Sequence, residues 1–265
     1  MYFRIRVFML VGLMFSLTRG PASFGQNQSF QLKGRVTVTS LPTPLQTFNA
    51  AKNLGACSAQ IPNTALSLGK KLELENVIVF LANIKPEKFP AAAVTIDIVN
   101  CLYKPRVSAL LQGDTLVLRS MDATTHHARG YWHEFAPGWE RLVTKDLFRR
   151  DSSEVFNFAF RQKNTSAWEV MNQPGLLEIR SEIGEEWLRS YVLVMPHRYF
   201  ALTNASGEFA FQGLPAGKYD LILWHEMLGV KRQLVAVSAN AKNELLVNWE
   251  INKPANADSL SQAQK

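Results

Sequence analysis

Cysteine is almost missing from this 265-residue chain, which carries only Cys57 and Cys101. A thiol enzyme needs a base beside its nucleophile, and neither cysteine has one at a recognisable spacing. Long hydrophobic runs are missing as well. Beyond the first 17 residues no apolar stretch approaches the roughly 20 residues that cross a bilayer, so a soluble mature chain is expected. Basic residues are scattered, and no run mixes them with aromatics as a nucleic-acid motif would, which leaves no expected nucleic-acid partner. No repeat is evident. Neither "HEFAP" from His133 nor "HEMLG" from His225 completes the His-Glu-x-x-His pattern of zinc hydrolases.

What is present begins with a leader. Arg4 and Arg6 precede an apolar run from Val7 to Leu17, followed by the small residues Ala22, Ser23 and Gly25. This order of charged, apolar and small residues is that of a secretory signal peptide over residues 1–25, with a periplasmic or secreted destination. The competing reading is a buried N-terminal helix. No cysteine follows the expected cut, which leaves a lipid anchor at that point unsupported. Loss of Arg4, Arg6 and Arg19 lowers the formal net charge from +7 to about +4. In an exported chain two cysteines point to one disulfide, Cys57–Cys101, against the alternative of two unpaired buried thiols.

Strand patterns dominate the remainder. "GRVTVTS" from Gly34, "NVIVFLAN" (76–83), "AVTIDIV" (93–99), "DTLVLRS" (114–120), "EVFNFAF" (154–160) and "GLLEIRS" (175–181) are separated by Gly, Pro, Asn and Asp. Such spacing predicts an all-β sandwich or barrel. Apolar residues at Trp139, Leu142, Val143 and Leu147 predict a short helix within 138–150. From Tyr199 onward the strands are more tightly spaced, with turns at Asn204–Gly207 and at 214–217. The tail from residue 252 to 265 is polar, without aromatics, and reads as disordered.

The run "YFALTNASGEFAFQGLPAGKYDLILWHE" from Tyr199 resembles the carboxypeptidase regulatory-like domain, a small transthyretin-like β-sandwich. Asn204, Gly207, Phe209, Leu214, Pro215, Gly217 and Tyr219 carry the resemblance. Upstream, "IDIVNCLYKPRV" (96–107), "QGDTLVLRSMDATTHH" (112–127) and "GLLEIRSEIGEEWLRSYVLV" (175–194) resemble strands and ligand loops of the cupredoxin-like domain. The resemblance implies a cupredoxin-like Greek-key sandwich over 30–197 and a carboxypeptidase regulatory-like domain over 198–251.

That resemblance also sets a test for metal. A blue-copper site takes a histidine from one loop, then Cys, His and an axial Met from another. His126 falls at the first histidine. Ser181 stands at the cysteine position, Gly184 near the second histidine, and Leu188 where the methionine follows Trp187. The reading is therefore a cupredoxin-like fold without its copper, with "TTHH" a polar loop and Ser181 brought close to His126. A different ion held by His126, His127 and His133 with Glu182 or Glu185 is the weaker alternative, since neighbours in an extended segment point to opposite sides.

The "WHE" at Trp224, His225 and Glu226 and the "HRYF" from His197 recur in the tandem family that the chain resembles. They offer either a catalytic His-Glu pair or a joint between domains; no third catalytic group at sensible spacing favours the joint. The expected function is an exported, non-enzymatic binding or accessory module whose partner is an envelope protein or polysaccharide. Trp132, Trp139 and Trp168 are candidate contacts if exposed. The alternatives are copper binding or electron transfer through a remodelled site using His126 and, last, a lyase or carboxypeptidase, for which no catalytic domain fits in the length.

Overall fold

Alternation of apolar and polar residues becomes strand throughout the structure, a computed structural model that describes residues 29–40, 45–50, 57–141 and 146–251. The expected leader and tail lie outside these residues. Among the described residues there is no α-helix; of the expected helix within 138–150, positions 142–145 lie outside the described residues, and Trp139–Arg141 is a 3-10 turn. None of their helices is long and apolar enough to cross a membrane.

The chain opens with β1 (Ser29–Val38), a short hairpin of β2 (Phe48–Asn49) and β3 (Gln60–Ile61), and β4 (Ile78–Leu81). Then come β5 (Ala93–Val99), β6 (Leu102–Lys104), β7 (Val107–Leu111), β8 (Thr115–Ser120) and β9 (His126–Glu134). Next are β10 (Ser153–Phe160), β11 (Thr165–Val170), β12 (Gly175–Arg180) and β13 (Arg189–Met195). The last five are β14 (Phe200–Leu202), β15 (Glu208–Pro215), β16 (Gly217–His225), β17 (Gly229–Val237) and β18 (Glu244–Trp249).

These strands make two sandwiches. In the first, a five-stranded sheet ordered β10-β9-β12-β13-β7 faces a four-stranded sheet ordered β11-β8-β5-β6. Ile96, Leu116, Leu118, Trp132, Phe160, Leu177 and Val192 fill the space between them. Both sheets mix parallel and antiparallel pairs, since β13 runs parallel to β7 and β5 parallel to β8.

The second sandwich sets β15-β1-β18 against β14-β4-β16-β17. Its membership differs from a boundary at residue 198, because β1 and β4 belong to it. The reason is visible in β4. All four of its residues are buried, so it needs a strand on each side and cover on each face. β14 and β16 flank it. Val79 and Leu81 turn into the second core, while Ile78 and Phe80 turn towards the first sandwich. β16 does the same with Leu221 and Leu223 on one side and Ile222 and Trp224 on the other. The first sandwich is thus built by the chain between β4 and β14, and the two pack through one apolar layer.

The turn before β15 shows why glycine is needed at one point. Asn204 Oδ1 accepts the N–H groups of Ser206 and Glu208, and Gly207 takes φ +70°. A Cβ at Gly207 would lie 2.3 Å from the Val36 carbonyl oxygen, so any side chain would push β1 away.

Candidate functional site

His126 is the first residue of β9 rather than part of a polar loop. It pairs with Phe160 of β10, and the strand alternates inward at His126, Ala128, Gly130 and Trp132. The same alternation sends His127 and His133 to the other face. His127 Nε2 lies 2.7 Å from Asn157 Oδ1, and His133 Nε2 lies 3.5 Å from Glu178 Oε2. The three histidines therefore do not converge.

The groups that do meet His126 are carboxylates. Nδ1 lies 2.7 Å from Glu185 Oε1, and Nε2 lies 3.0 Å from Asp122 Oδ2. His126 and Glu185 have no exposed side-chain surface. An acceptor at each ring nitrogen favours the doubly protonated imidazole, which can donate to both. Burial works against that charge, but hydrogen bonds and charges from Glu185 and then Asp122 outweigh it and hold His126 above its ordinary pKa.

Each carboxylate is held in turn. Ser181 Oγ donates to Glu185 Oε2 at 2.7 Å, so Ser181 and His126 are joined through Glu185 at one end of the sandwich. Glu185 points inward from the 181–188 loop, which turns at Gly184 (φ +86°) and closes with Leu188 N–H on the Glu185 carbonyl at 2.9 Å. Leu188 is fully buried. Glu182 of the same loop faces outward, where it pairs with Arg129 and Tyr131.

Asp122 performs a second task. Its Oδ1 accepts the N–H of Asn100 at 2.9 Å and its Oδ2 that of Cys101 at 2.8 Å. Asn100 and Cys101 form the two-residue turn between β5 and β6, with φ of 52° and 62°. Two left-handed residues are what such a hairpin turn requires, at a cost for cysteine, which has a Cβ. The Asp122 carboxylate and the Cys57–Cys101 disulfide both fasten this turn. Sulfur of Cys101, a carboxylate oxygen of Asp122 and a ring nitrogen of His126 all lie within 4.8 Å of one another.

A copper site does not fit the donors as they stand. Both imidazole nitrogens face carboxylates, the sulfur is in a disulfide, and the Ser181 hydroxyl, a hard donor, is engaged by Glu185.

A second polar cluster lies where the sandwiches meet. Arg106, just before β7, makes two hydrogen bonds to Glu226, Nε to Oε1 at 2.6 Å and Nη2 to Oε2 at 2.7 Å. Both side chains are largely buried. Burial outweighs Arg106 and holds the Glu226 carboxyl above the usual carboxylate range. Trp224 packs edge-on against Tyr191 and Phe148. His225 is buried, its Nδ1 accepting the Met227 N–H, and burial followed by the Arg106 charge pushes its pKa down to about 4. His197 is buried too, accepts the Tyr199 N–H through Nδ1, and is pushed down to about 4 by burial. The carboxylate next to His225 in sequence, Glu226, is engaged by Arg106. Among the tryptophans, Trp132 is core, Trp139 stacks on Phe135 in the joint, and Trp168 on β11 is 66% exposed.

Asp122 was not singled out from the sequence as a site residue, although it stands four positions before His126 and matches the aspartate of the resembled strand-and-loop pattern. That i, i+4 spacing was the available signal.

No family model matches the chain, and no curated protein matches it. Among solved structures it is similar to cupredoxins. A Cu(I) amicyanin variant is 16% identical over 39% of this chain and 82% of that one, with a TM-score of 0.27. A reduced amicyanin variant is 14% identical over 44% of this chain and 98% of that one, with a TM-score of 0.29. The copper-containing nitrite reductase from Thermus scotoductus SA-01 is 13% identical over 42% of this chain and 25% of that one, with a TM-score of 0.28. Overlap at this level carries no argument about this chain, whose all-β architecture stands on its own strands and pairings.

Proposed function

We propose that this chain is an exported, non-enzymatic binding module built on a cupredoxin-like sandwich without copper and a transthyretin-like second sandwich. The observation that carries this reading is the pair of carboxylates on His126. Where a copper protein leaves an imidazole nitrogen free for the metal, this chain fills both nitrogens with proton-sharing acceptors. The cluster then serves the fold, fixing the end of β9, the 181–188 loop and the turn at Cys101. The disulfide suits an oxidising compartment, in keeping with the leader.

A partner surface is suggested by Trp168, the one aromatic among the exposed large hydrophobic side chains of the described residues. It stands in a cross-strand row with Val117 and Thr95, beside a row in which Arg119 is doubly hydrogen-bonded to Asp97. An open indole next to fixed polar groups suits an envelope polysaccharide or a small protein contact. Tryptophan fluorescence titration with cell-wall polysaccharide tests this. Binding that weakens in Trp168→Ala supports the module reading, and binding unchanged by that substitution removes Trp168 from it.

The second reading, copper binding through a remodelled site, is favoured by the proximity of Cys101, Asp122 and His126 donor atoms. Copper loading of the oxidised protein separates the two: one Cu²⁺ per chain with nitrogen coupling in its electron paramagnetic resonance, lost in His126→Gln, belongs to the second reading only.

A further inference from the structure

The disulfide and the buried ion-pair cluster occupy the same place. Cys101 Sγ lies within 4.8 Å of donor atoms of both His126 and Asp122, and Cys57 Sγ is bonded to it, with the two Cα atoms 5.6 Å apart. We propose that reduction of Cys57–Cys101 converts this cluster into a closed zinc-type site with Cys57, Cys101, His126 and Asp122 as its ligands.

The donor set is two thiolates, one imidazole and one carboxylate. Four-coordinate zinc takes such ligands at about 2.3 Å to sulfur and about 2.0–2.2 Å to nitrogen and oxygen. Donors around a tetrahedral ion at those lengths stand roughly 3.3–3.8 Å from each other. The Cys101, Asp122 and His126 donors, within 4.8 Å of one another, therefore need only a small contraction. Cys57 Sγ must swing away from Cys101 Sγ once their bond is broken to complete the set. The orientation of the imidazole is already suitable. Glu185 holds Nδ1 at 2.7 Å and leaves Nε2 facing Asp122 Oδ2 at 3.0 Å. A carboxylate on the far nitrogen is the arrangement that commonly fixes a zinc-bound histidine. The ion would take the place of the proton between Nε2 and Asp122 Oδ2.

The chemistry balances with an external dithiol. Cys57 is only partly buried and Cys101 fully buried, so the reachable sulfur is that of Cys57. A thiolate of the dithiol attacks Cys57 Sγ, the S–S bond breaks, and Cys101 leaves as a thiolate. The second thiol of the reductant then attacks the mixed disulfide, leaving Cys57 as a thiol and the reductant as its own disulfide. Two electrons have passed from the dithiol to the protein. Binding of Zn²⁺ releases the Cys57 proton and the proton on His126 Nε2.

The test uses the full mature chain in two states, oxidised as isolated and reduced with dithiothreitol, then desalted without oxygen. Zn²⁺ is titrated by calorimetry, and Co²⁺ serves as a spectroscopic substitute whose thiolate bands report sulfur ligation. The reduced protein is expected to bind one Zn²⁺ per chain and to show those bands, and the oxidised protein to show neither. Asp122→Asn and His126→Gln should each weaken Zn²⁺ at least tenfold in the reduced state, and a Cys57→Ser, Cys101→Ser double variant should abolish the bands. Asp122→Asn keeps only one of the two acceptors of the hairpin turn, so nitrogen NMR of the reduced wild-type protein during Zn²⁺ titration, in which a His126 ring nitrogen should become metal-bound, decides the matter if neither variant folds. Absence of stoichiometric Zn²⁺ binding in the reduced protein overturns the proposal. So does Zn²⁺ affinity unchanged in Asp122→Asn, which would mean that the thiol pair binds alone. Stoichiometric Cu²⁺ binding through His126 in the oxidised protein would overturn the copper-free reading while leaving this result standing.

Discussion

His126 and Glu185 meet at 2.7 Å, Nδ1 to Oε1, with neither side chain exposed, although 59 residues separate them in the chain. Breaking a buried pair from one side leaves the other charge without compensation, at a cost of about 3–5 kcal/mol. Glu185→Ala should therefore destabilise the fold by that order, measured by equilibrium denaturation. A loss within experimental error would mean that the pair is not formed in solution.

The same pair gives a pH dependence of definite sign. The folded pKa of His126 is raised, so between its unfolded value near 6.5 and the higher folded value the native state binds more protons than the unfolded one. Its contribution is complete below pH of about 6.5 and is lost as pH rises through the folded value. Denaturant midpoints should fall on the alkaline side, and Glu185→Gln should flatten that limb. Nitrogen NMR of the ring checks the cause directly, since both nitrogens should carry protons at neutral pH.

His197 and His225 act in the opposite direction. Burial pushes both down to about 4, so from about pH 6.5 to 4 the unfolded chain takes up protons that the native state refuses. Stability should fall as pH drops through that window, by up to about 3 kcal/mol for each histidine. Asn can replace the Nδ1 acceptor of each without the charge, and the His197→Asn, His225→Asn double variant should show a shallower acid limb. An identical acid limb would remove these histidines from the explanation.

Arg106 and Glu226 tie the first sandwich to the second through two short hydrogen bonds in a mostly buried setting. Glu226→Ala leaves Arg106 unpaired and should cost about 3–5 kcal/mol. The variant should be cleaved faster by limited proteolysis than the wild type, and equal rates would contradict a joint at this position.

The Cys57–Cys101 link closes a loop with a sequence separation of 44. The loop-entropy account assigns such a closure about 4 kcal/mol. Reduction should lower the denaturation midpoint correspondingly, and the denatured, unreduced protein should show no titratable thiol. Two free thiols there would contradict the pairing.

Local patterns carried much of this architecture. "AVTIDIV" is β5 residue for residue, and "NVIVFLAN" contains β4, because a run of β-branched and aromatic residues has few other outcomes. Partner choice was not local. Nothing in "GRVTVTS" says that β1 will pair with β15 and β18 at the far end of the chain, so the division between the sandwiches was misplaced. At the site, His126 and Ser181 were legible as neighbours from the resemblance, but their contact runs through Glu185. Three acids share that loop, and only the backbone turn at Gly184 shows that Glu185 points inward while Glu182 meets Arg129. Of "TTHH", Thr124 and Thr125 lie in a loop while His126 and His127 open β9, and the polarity of His126 is satisfied inside the fold by Asp122 and Glu185.

The central claim is that His126 is a buried cation held by two carboxylates and not a copper ligand. Electron paramagnetic resonance of the oxidised, purified protein during Cu²⁺ titration tests it most directly. The expected result is no nitrogen-coupled Cu²⁺ signal at one copper per chain and a wild-type spectrum indistinguishable from that of His126→Gln. A nitrogen-coupled signal that saturates at one copper per chain and disappears in His126→Gln would contradict it.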